Sequence, residues 1–192
     1  MKATYKKHIL NFKRPSGTSR GVMTEKETWF LLLEDNGKIG VGECGLLRGL
    51  SVDDRPDYEE KLQWVCQNIH LGKDNLWNEL LEFPSLQFGV EMAFMSLEAE
   101  TPFKLFPSDF IKGKEAITIN GLVWMGEEAF MKQQIEEKLD DGFTCIKLKI
   151  GAIDFQQELD LLAFIRKHFD EKTIEIRVDA NGAFSPDEAL EK

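Results

Sequence analysis

Two lysines in the stretch CIKLKIG, Lys147 and Lys149, are the charges in this sequence that most need an explanation. Side chains alternate across a β-strand, so both ammonium groups are expected on one face of the strand. Further along, the stretch RVDANG places Arg177 and Asp179 on one strand face by the same alternation. A lysine acts as a base when a second ammonium group favours its neutral form, and a carboxylate is a metal ligand.

The elements that position these four side chains alternate between strand and helix from Lys114 onward. Three predicted strands, AITINGLVWM, FTCIKLKIG and TIEIRVDANG, are each followed by a helical pattern, and the last helix begins with a capping box at Ser185 and Glu188. This alternation predicts a parallel sheet of βα units, whose strands carry chemistry at their carboxyl ends. Ile146, Leu148 and Ile150 would then face the helices, and the charged residues would face inward.

The preceding part of the chain follows a different pattern. Strands come first, with a hairpin signal at Asn36-Gly37, and helices follow, the third of them beginning near Pro84. The polar stretch from Lys13 to Glu27 is predicted to be a mobile loop. We therefore expect an α+β domain over residues 1–112 and the first βα units of a barrel over residues 113–192.

Two patterns have simpler interpretations beside the functional ones. The inward charges could form a buried lysine–aspartate ion pair without a catalytic role. The stretch GVGECG, from Gly40 to Gly45, matches a dinucleotide-binding fingerprint, but no helix is expected to follow it directly. Its glycines are therefore predicted to let a strand approach another segment closely.

Composition limits the possible partners. The 192 residues carry a net charge of -10, which argues against non-specific binding to nucleic acid or to an anionic membrane. The three cysteines include no CxxC pair, so no zinc site or disulfide framework is expected. Without a signal peptide or a long apolar run, a cytoplasmic protein is the expectation.

Together these motifs resemble the enolase superfamily of the muconate-lactonising type. The resemblance rests on a Lys-x-Lys strand ahead of a strand that ends in Asp-Ala-Asn-Gly, and on GVGECGLLRGLSVDD, FGVEMAFMSLE and INGLVWMG. Within the superfamily, these motifs are most similar to the lyases that form 2-succinylbenzoate in menaquinone biosynthesis. The implied fold is an α+β capping domain followed by a modified (β/α) TIM-type barrel.

The resemblance also implies roles for individual residues. Lys149 would remove the proton α to a carboxylate and then protonate the departing β-hydroxyl, while Lys147 would favour the neutral form of Lys149 and help to hold the substrate. Asp179 would be one of three carboxylate ligands to Mg²⁺. The implied substrate-binding residues are Arg177 and Asn181, which would shape the inner site, and Ser19 and Arg20, which lie in a stretch that matches the loop that closes over substrate in this family.

Other functions remain open from the sequence. Dipeptide epimerases and N-succinylamino acid racemases share the motifs, and a non-catalytic binding or assembly fragment is a further class. Because three parallel strands do not close a barrel, we expect this chain to be part of a longer protein and to be inactive by itself, with an open strand edge that promotes self-association.

Overall fold

The structure, a computed structural model, describes residues 1–18, 21–151 and 153–192. The strands are β1 (Lys2–Thr18), β2 (Gly21–Asp35), β3 (Lys38–Cys44), β4 (Gly121–Val123), β5 (Cys145–Lys149) and β6 (Glu175–Asp179). The helices are α1 (Tyr58–Gln67), α2 (Lys73–Glu79), α3 (Pro84–Glu98), α4 (Glu128–Asp140), α5 (Phe155–His168) and α6 (Pro186–Glu191), and a short 3₁₀ helix spans Ile69–Leu71. Two compact units contain them. Unit 1 comprises Met1–Pro15 and Met23–Ala116, and unit 2 comprises Ser16–Val22 and Ile117–Lys192.

The sheet of unit 1 has the strand order β1-β2-β3. Strands β2 and β3 are antiparallel and are joined by the predicted Asn36-Gly37 turn. Both turn residues have positive φ, 50° and 78°, as the type I′ hairpin turn requires. The hairpin prediction is confirmed. Alternate residues of β2, Trp29, Leu31 and Leu33, are fully buried in the core of this unit.

The prediction of a loop from Lys13 to Glu27 is wrong. Strand β1 continues to Thr18 and β2 begins at Gly21, so most of that polar stretch belongs to two neighbouring strands of one sheet. Backbone hydrogen bonds form this part of the ladder and need no alternation of apolar side chains. Pro15, which lacks an N–H, is tolerated because β1 is an edge strand.

The glycines of β3 allow strand and helix backbones to touch. A Cβ atom added at Gly42 would meet the backbone carbonyl of Gly89 in α3, and one added at Gly40 would meet the carbonyl of Ala93. No helix follows β3 directly, since α1 begins only at Tyr58. The prediction that the glycines of GVGECG allow close approach is therefore confirmed.

A small polar cluster joins strands β2 and β3. The buried Thr28 hydroxyl donates to Oε1 of Glu43 at 2.8 Å, and Nζ of Lys26 lies 3.1 Å from the same oxygen. The Thr28 hydroxyl, and after it the Lys26 ammonium, hold the pKa of Glu43 below its ordinary value of 4.5. Such a carboxylate stabilises the fold above pH 4.5, and this contribution is lost as the pH falls through the lowered pKa.

Thr28→Val should therefore destabilise the chain in a pH-dependent way. We expect the pH-dependent part of the loss in unfolding free energy at pH 7 to be about 0.5 kcal/mol, near the lower limit for a hydrogen bond because solvent screens the part-exposed Glu43. The difference from the native sequence should shrink in urea titrations below pH 4.5. Thr24→Val, at an exposed position of β2, is the control. An equal difference at pH 7 and pH 3 would contradict the role given to Glu43.

Unit 2 contains the parallel sheet, in the order β4-β5-β6. Ile146 and Leu148 of β5 are buried in a core with Met131 and Ile135 of α4 and residues of α5, so the predicted helix-facing set is confirmed for β5. Val178, expected on the same side of β6, is half exposed. The capping box of α6, from Ser185 to Glu188, is also confirmed.

The strand predicted over AITINGLVWM is much shorter than expected. Only Gly121–Val123 pairs with β5, opposite Ile146, Lys147 and Leu148. Ile117 and Ile119 alternate as strand residues do, but both are exposed. A segment with strand-like alternation forms no ladder without a neighbouring strand beside it. Across the described parts of the chain, no helix is both long and apolar enough to span a bilayer.

Candidate active site

The predicted site residues lie at the carboxyl ends of β5 and β6. In the parallel register, Lys147 is opposite Arg177 and Lys149 is opposite Asp179. The alternate residues Ile146 and Leu148 are buried on the other face of β5. The pleat of the strands thus brings two ammonium groups and a carboxylate to one edge of the sheet, as the sequence predicted.

Asp179 is the centre of this group. Its Oδ2 lies 3.0 Å from Nζ of Lys147, and its Oδ1 accepts the backbone N–H of Asn181 at 3.0 Å. The Lys147 ammonium, and after it the Asn181 N–H, hold the pKa of Asp179 below its ordinary value of 3.8. Asp179 is therefore ionised at neutral pH, which a metal-binding carboxylate must be.

Lys149 contacts the turn that follows β6. Its Nζ donates to Oδ1 of Asn181 at 3.3 Å. Asn181 has a φ of 48° and Gly182 a φ of 73°, and asparagine and glycine are the residues that adopt this left-handed backbone most readily. The sequence DANG thus encodes a turn in which Asp179 bonds the backbone and Asn181 presents its amide to Lys149.

Arg177 is not joined to this group by its side chain. Its Nε donates to Oε1 of Glu175 at 2.6 Å, and the side chain is more than half exposed. The other predicted substrate-binding residues, Ser19 and Arg20, lie outside the described residues. Their roles stay predictions.

The ion pair between Lys147 and Asp179 is only partly buried. The side chains are 32% and 33% exposed. A pair with this exposure contributes on the order of 0–1 kcal/mol to stability, so fold stability is a weak reason for it. The predicted ion pair between Lys147 and Asp179 is therefore present, and whether its role is catalytic or structural stays a prediction.

The carboxylate of Asp179 suits a hard cation such as Mg²⁺, which prefers oxygen ligands. No cluster of three or more histidine, cysteine or acidic side chains that could hold a metal occurs in residues 1–18, 21–151 and 153–192. Asp179 therefore fits as one ligand, and octahedral coordination would need others.

Sequence reasoning missed one acid next to this edge. Glu158 of α5 is buried and accepts the backbone N–H of Gly151, two residues after Lys149. The signal was present in the spacing, because Glu158 precedes Leu161 and Ile165 by three and seven residues, on the buried face of the helix. A charged residue on such a face needs a polar partner.

Comparison with known proteins agrees with this fold. The family model for the N-terminal domain of MenC matches residues 17–97, and the enolase C-terminal domain-like family matches residues 130–192. An o-succinylbenzoate synthase from Desulfotalea psychrophila is 40% identical over all of this chain, which spans 61% of that protein's length.

Two solved structures share the fold of this chain. The crystal structure of MenC from Desulfotalea psychrophila is 36% identical, with a TM-score of 0.80 over the whole chain and 60% of the solved chain. An o-succinylbenzoate synthase from Thermosynechococcus elongatus, solved with Mg in its active site, shares the fold at 21% identity, with a TM-score of 0.71 over the whole chain and 55% of the solved chain.

By sequence and by fold, the chain is similar to the enolase superfamily. Its antiparallel sheet with helices corresponds to the capping domain, and its parallel strands with helices correspond to the first βα units of the TIM-type barrel. Within the superfamily, its similarity is to o-succinylbenzoate synthase, of which it corresponds to the N-terminal part. The predicted resemblance and fold class are confirmed.

Proposed function

We propose that the protein to which this chain belongs is a lyase that dehydrates a cyclohexadiene carboxylate to 2-succinylbenzoate, in the cytoplasm and in the menaquinone pathway. The observation that carries the proposal is the placement of Lys149 opposite Asp179, beside Lys147, at the carboxyl ends of adjacent parallel strands. The similarity to o-succinylbenzoate synthase over the whole chain supports the choice of reaction.

The lysines would carry the proton transfers. Lys149 would accept the proton α to the substrate carboxylate and later give a proton to the β-hydroxyl, which leaves as water. Lys147 would supply positive charge beside it and help to hold the substrate carboxylate. The contact between Lys149 and Asn181 would orient the amine toward the substrate. Arg177, Ser19 and Arg20 are proposed to contribute to substrate binding.

Asp179 would be a ligand to Mg²⁺. Bound Mg²⁺ would supply electrostatic stabilisation for the negative charge that develops on the substrate carboxylate. The Mg in the active site of the Thermosynechococcus elongatus synthase supports this proposal. The remaining ligands would come from outside the 192 residues, so we propose that the chain by itself is inactive and that it self-associates through the open edges of its parallel sheet.

Substrate discrimination tests the reaction. The longer protein would be purified with Mg²⁺ and assayed with the cyclohexadiene carboxylate, with N-succinyl amino acids and with dipeptides. We expect 2-succinylbenzoate as the main product, and no turnover by the 192-residue chain. Epimerisation or racemisation without dehydration would show instead that the protein is a dipeptide epimerase or an N-succinylamino acid racemase. The absence of turnover on all three substrate classes would favour a binding or assembly role.

A further inference from the structure

Among the described residues of unit 2, Glu158 is the charged side chain that the fold buries. It is 2% exposed. Removing a carboxylate from water is costly unless hydrogen bonds replace the water. Oε1 of Glu158 accepts the backbone N–H of Gly151 at 2.6 Å. Glu158 also lies in the first turn of α5, where the helix dipole favours a negative charge. The carboxylate thus fixes the backbone at the end of β5 through its hydrogen bond with the Gly151 N–H.

Gly151 in turn contacts the turn that follows β6. Its φ of +89° is a conformation that side chains rarely adopt, and a Cβ atom added there would meet the Cβ of Ala183. The carbonyl oxygen of Ala180 would lie 3.7 Å from that added atom. One residue earlier, the backbone N–H of Ile150 donates to the carbonyl of Asp179 at 3.0 Å. The two strand ends are therefore packed against each other through Gly151.

We propose that Glu158 is a positioning residue for Lys149. By holding Gly151, it keeps the end of β5 against the turn from Asp179 to Gly182, so that the Lys149 amine stays beside the Asn181 amide. This inference rests on the proposed function, in which Lys149 transfers the proton. Glu158 acts through the backbone and does not contact the substrate.

The test measures the position of Lys149 without requiring activity. The 192-residue chain would be compared with Glu158→Ala, with Glu158→Gln, which keeps an oxygen acceptor, and with the control Glu136→Ala at an exposed site on α4. Amide hydrogen exchange would report the Gly151 N–H. Labelling by an amine-reactive acetylating reagent, read by mass spectrometry, would give the ratio of modification at Lys149 to that at Lys147.

Glu158→Ala should speed exchange at Gly151 by roughly tenfold and raise the labelling ratio by about threefold, because a charge-assisted hydrogen bond is lost. In Glu158→Gln, the exchange rate at Gly151 and the labelling ratio should both stay near their native values. Glu136→Ala should change neither quantity. Global loosening would expose both lysines and leave the ratio unchanged, so the ratio separates positioning from a general structural role. An unchanged ratio in folded Glu158→Ala would overturn the proposal.

If the Glu158→Ala variant does not fold, Glu158→Asp and Glu158→Gln still test the proposal. Glu158→Asp shortens the side chain by one methylene and should raise the labelling ratio, whereas Glu158→Gln should not. Equal ratios in these two variants would overturn the positioning role. Since neither readout depends on turnover, failure here is distinct from failure of the proposed lyase, which only the substrate assay can show.

Discussion

Lys149→Met in the longer protein will lower the rate of 2-succinylbenzoate formation by roughly 10³- to 10⁴-fold, near the upper limit for removing a general acid or base. Methionine keeps most of the length of the side chain but lacks the amine that carries the proton. The loss should be this large because Lys149 is assigned both the removal of the α-proton and the protonation of the leaving hydroxyl. The measurement is kcat with the cyclohexadiene carboxylate at saturating Mg²⁺.

The matched control for this prediction is Lys172→Met. Lys172 is exposed in the segment between α5 and β6, and its side chain has no ion-pair partner among the described residues. Lys172→Met should leave kcat within about twofold of the native value, as surface substitutions usually do. A loss of less than tenfold in Lys149→Met, with the fold intact by circular dichroism, would show that another group transfers the proton.

Gly42→Ala will destabilise unit 1 by about 3 kcal/mol or more, at the upper end of the cost of overpacking. The added methyl group would meet the backbone carbonyl of Gly89, which cannot move aside as the end of a flexible side chain can. Strand β3 and helix α3 would have to separate. Urea denaturation of the 192-residue chain, followed by tryptophan fluorescence, measures the loss.

Gly45→Ala, in the same GVGECG stretch, is the control for this prediction. The atom nearest to a Cβ at Gly45 is Nζ of Lys26, at 3.4 Å, which is the mobile end of a long side chain. We expect a change of about 0.5 kcal/mol or less, the ordinary range for such a site. Similar losses in both variants would mean that the contact between β3 and α3 is looser than the structure shows.

Local rules predicted a large part of the fold and the central part of the site. Alternation along CIKLKIG placed Ile146 and Leu148 in the core and both lysines on the opposite face, because side-chain direction in a strand depends only on the pleat. The turn at Asn36-Gly37 and the capping box at Ser185 were equally local, since each is fixed by residues close together in the chain.

Features that depend on distant partners were not predictable in this way. Strands β1 and β2 extend through polar residues because backbone pairing, and not burial, forms them. Ile117 and Ile119 have a strand-like pattern but lack a partner strand. The bond from Gly151 to Glu158 joins a strand end to a helix, and the pairing of Arg177 with Glu175 is a choice among several acids. No periodicity encodes such choices.

Mg²⁺ titration of the longer protein, by calorimetry, tests most directly the claim that the ends of β5 and β6 form part of a metal-assisted active site. Asp179→Asn would be compared with Asp187→Asn, an exposed aspartate in the first turn of α6. We predict that Asp179→Asn weakens Mg²⁺ binding by at least about tenfold, since it removes a charged ligand, and that Asp187→Asn leaves it unchanged. Equal Mg²⁺ affinity in Asp179→Asn and the native protein would contradict the assignment of this edge.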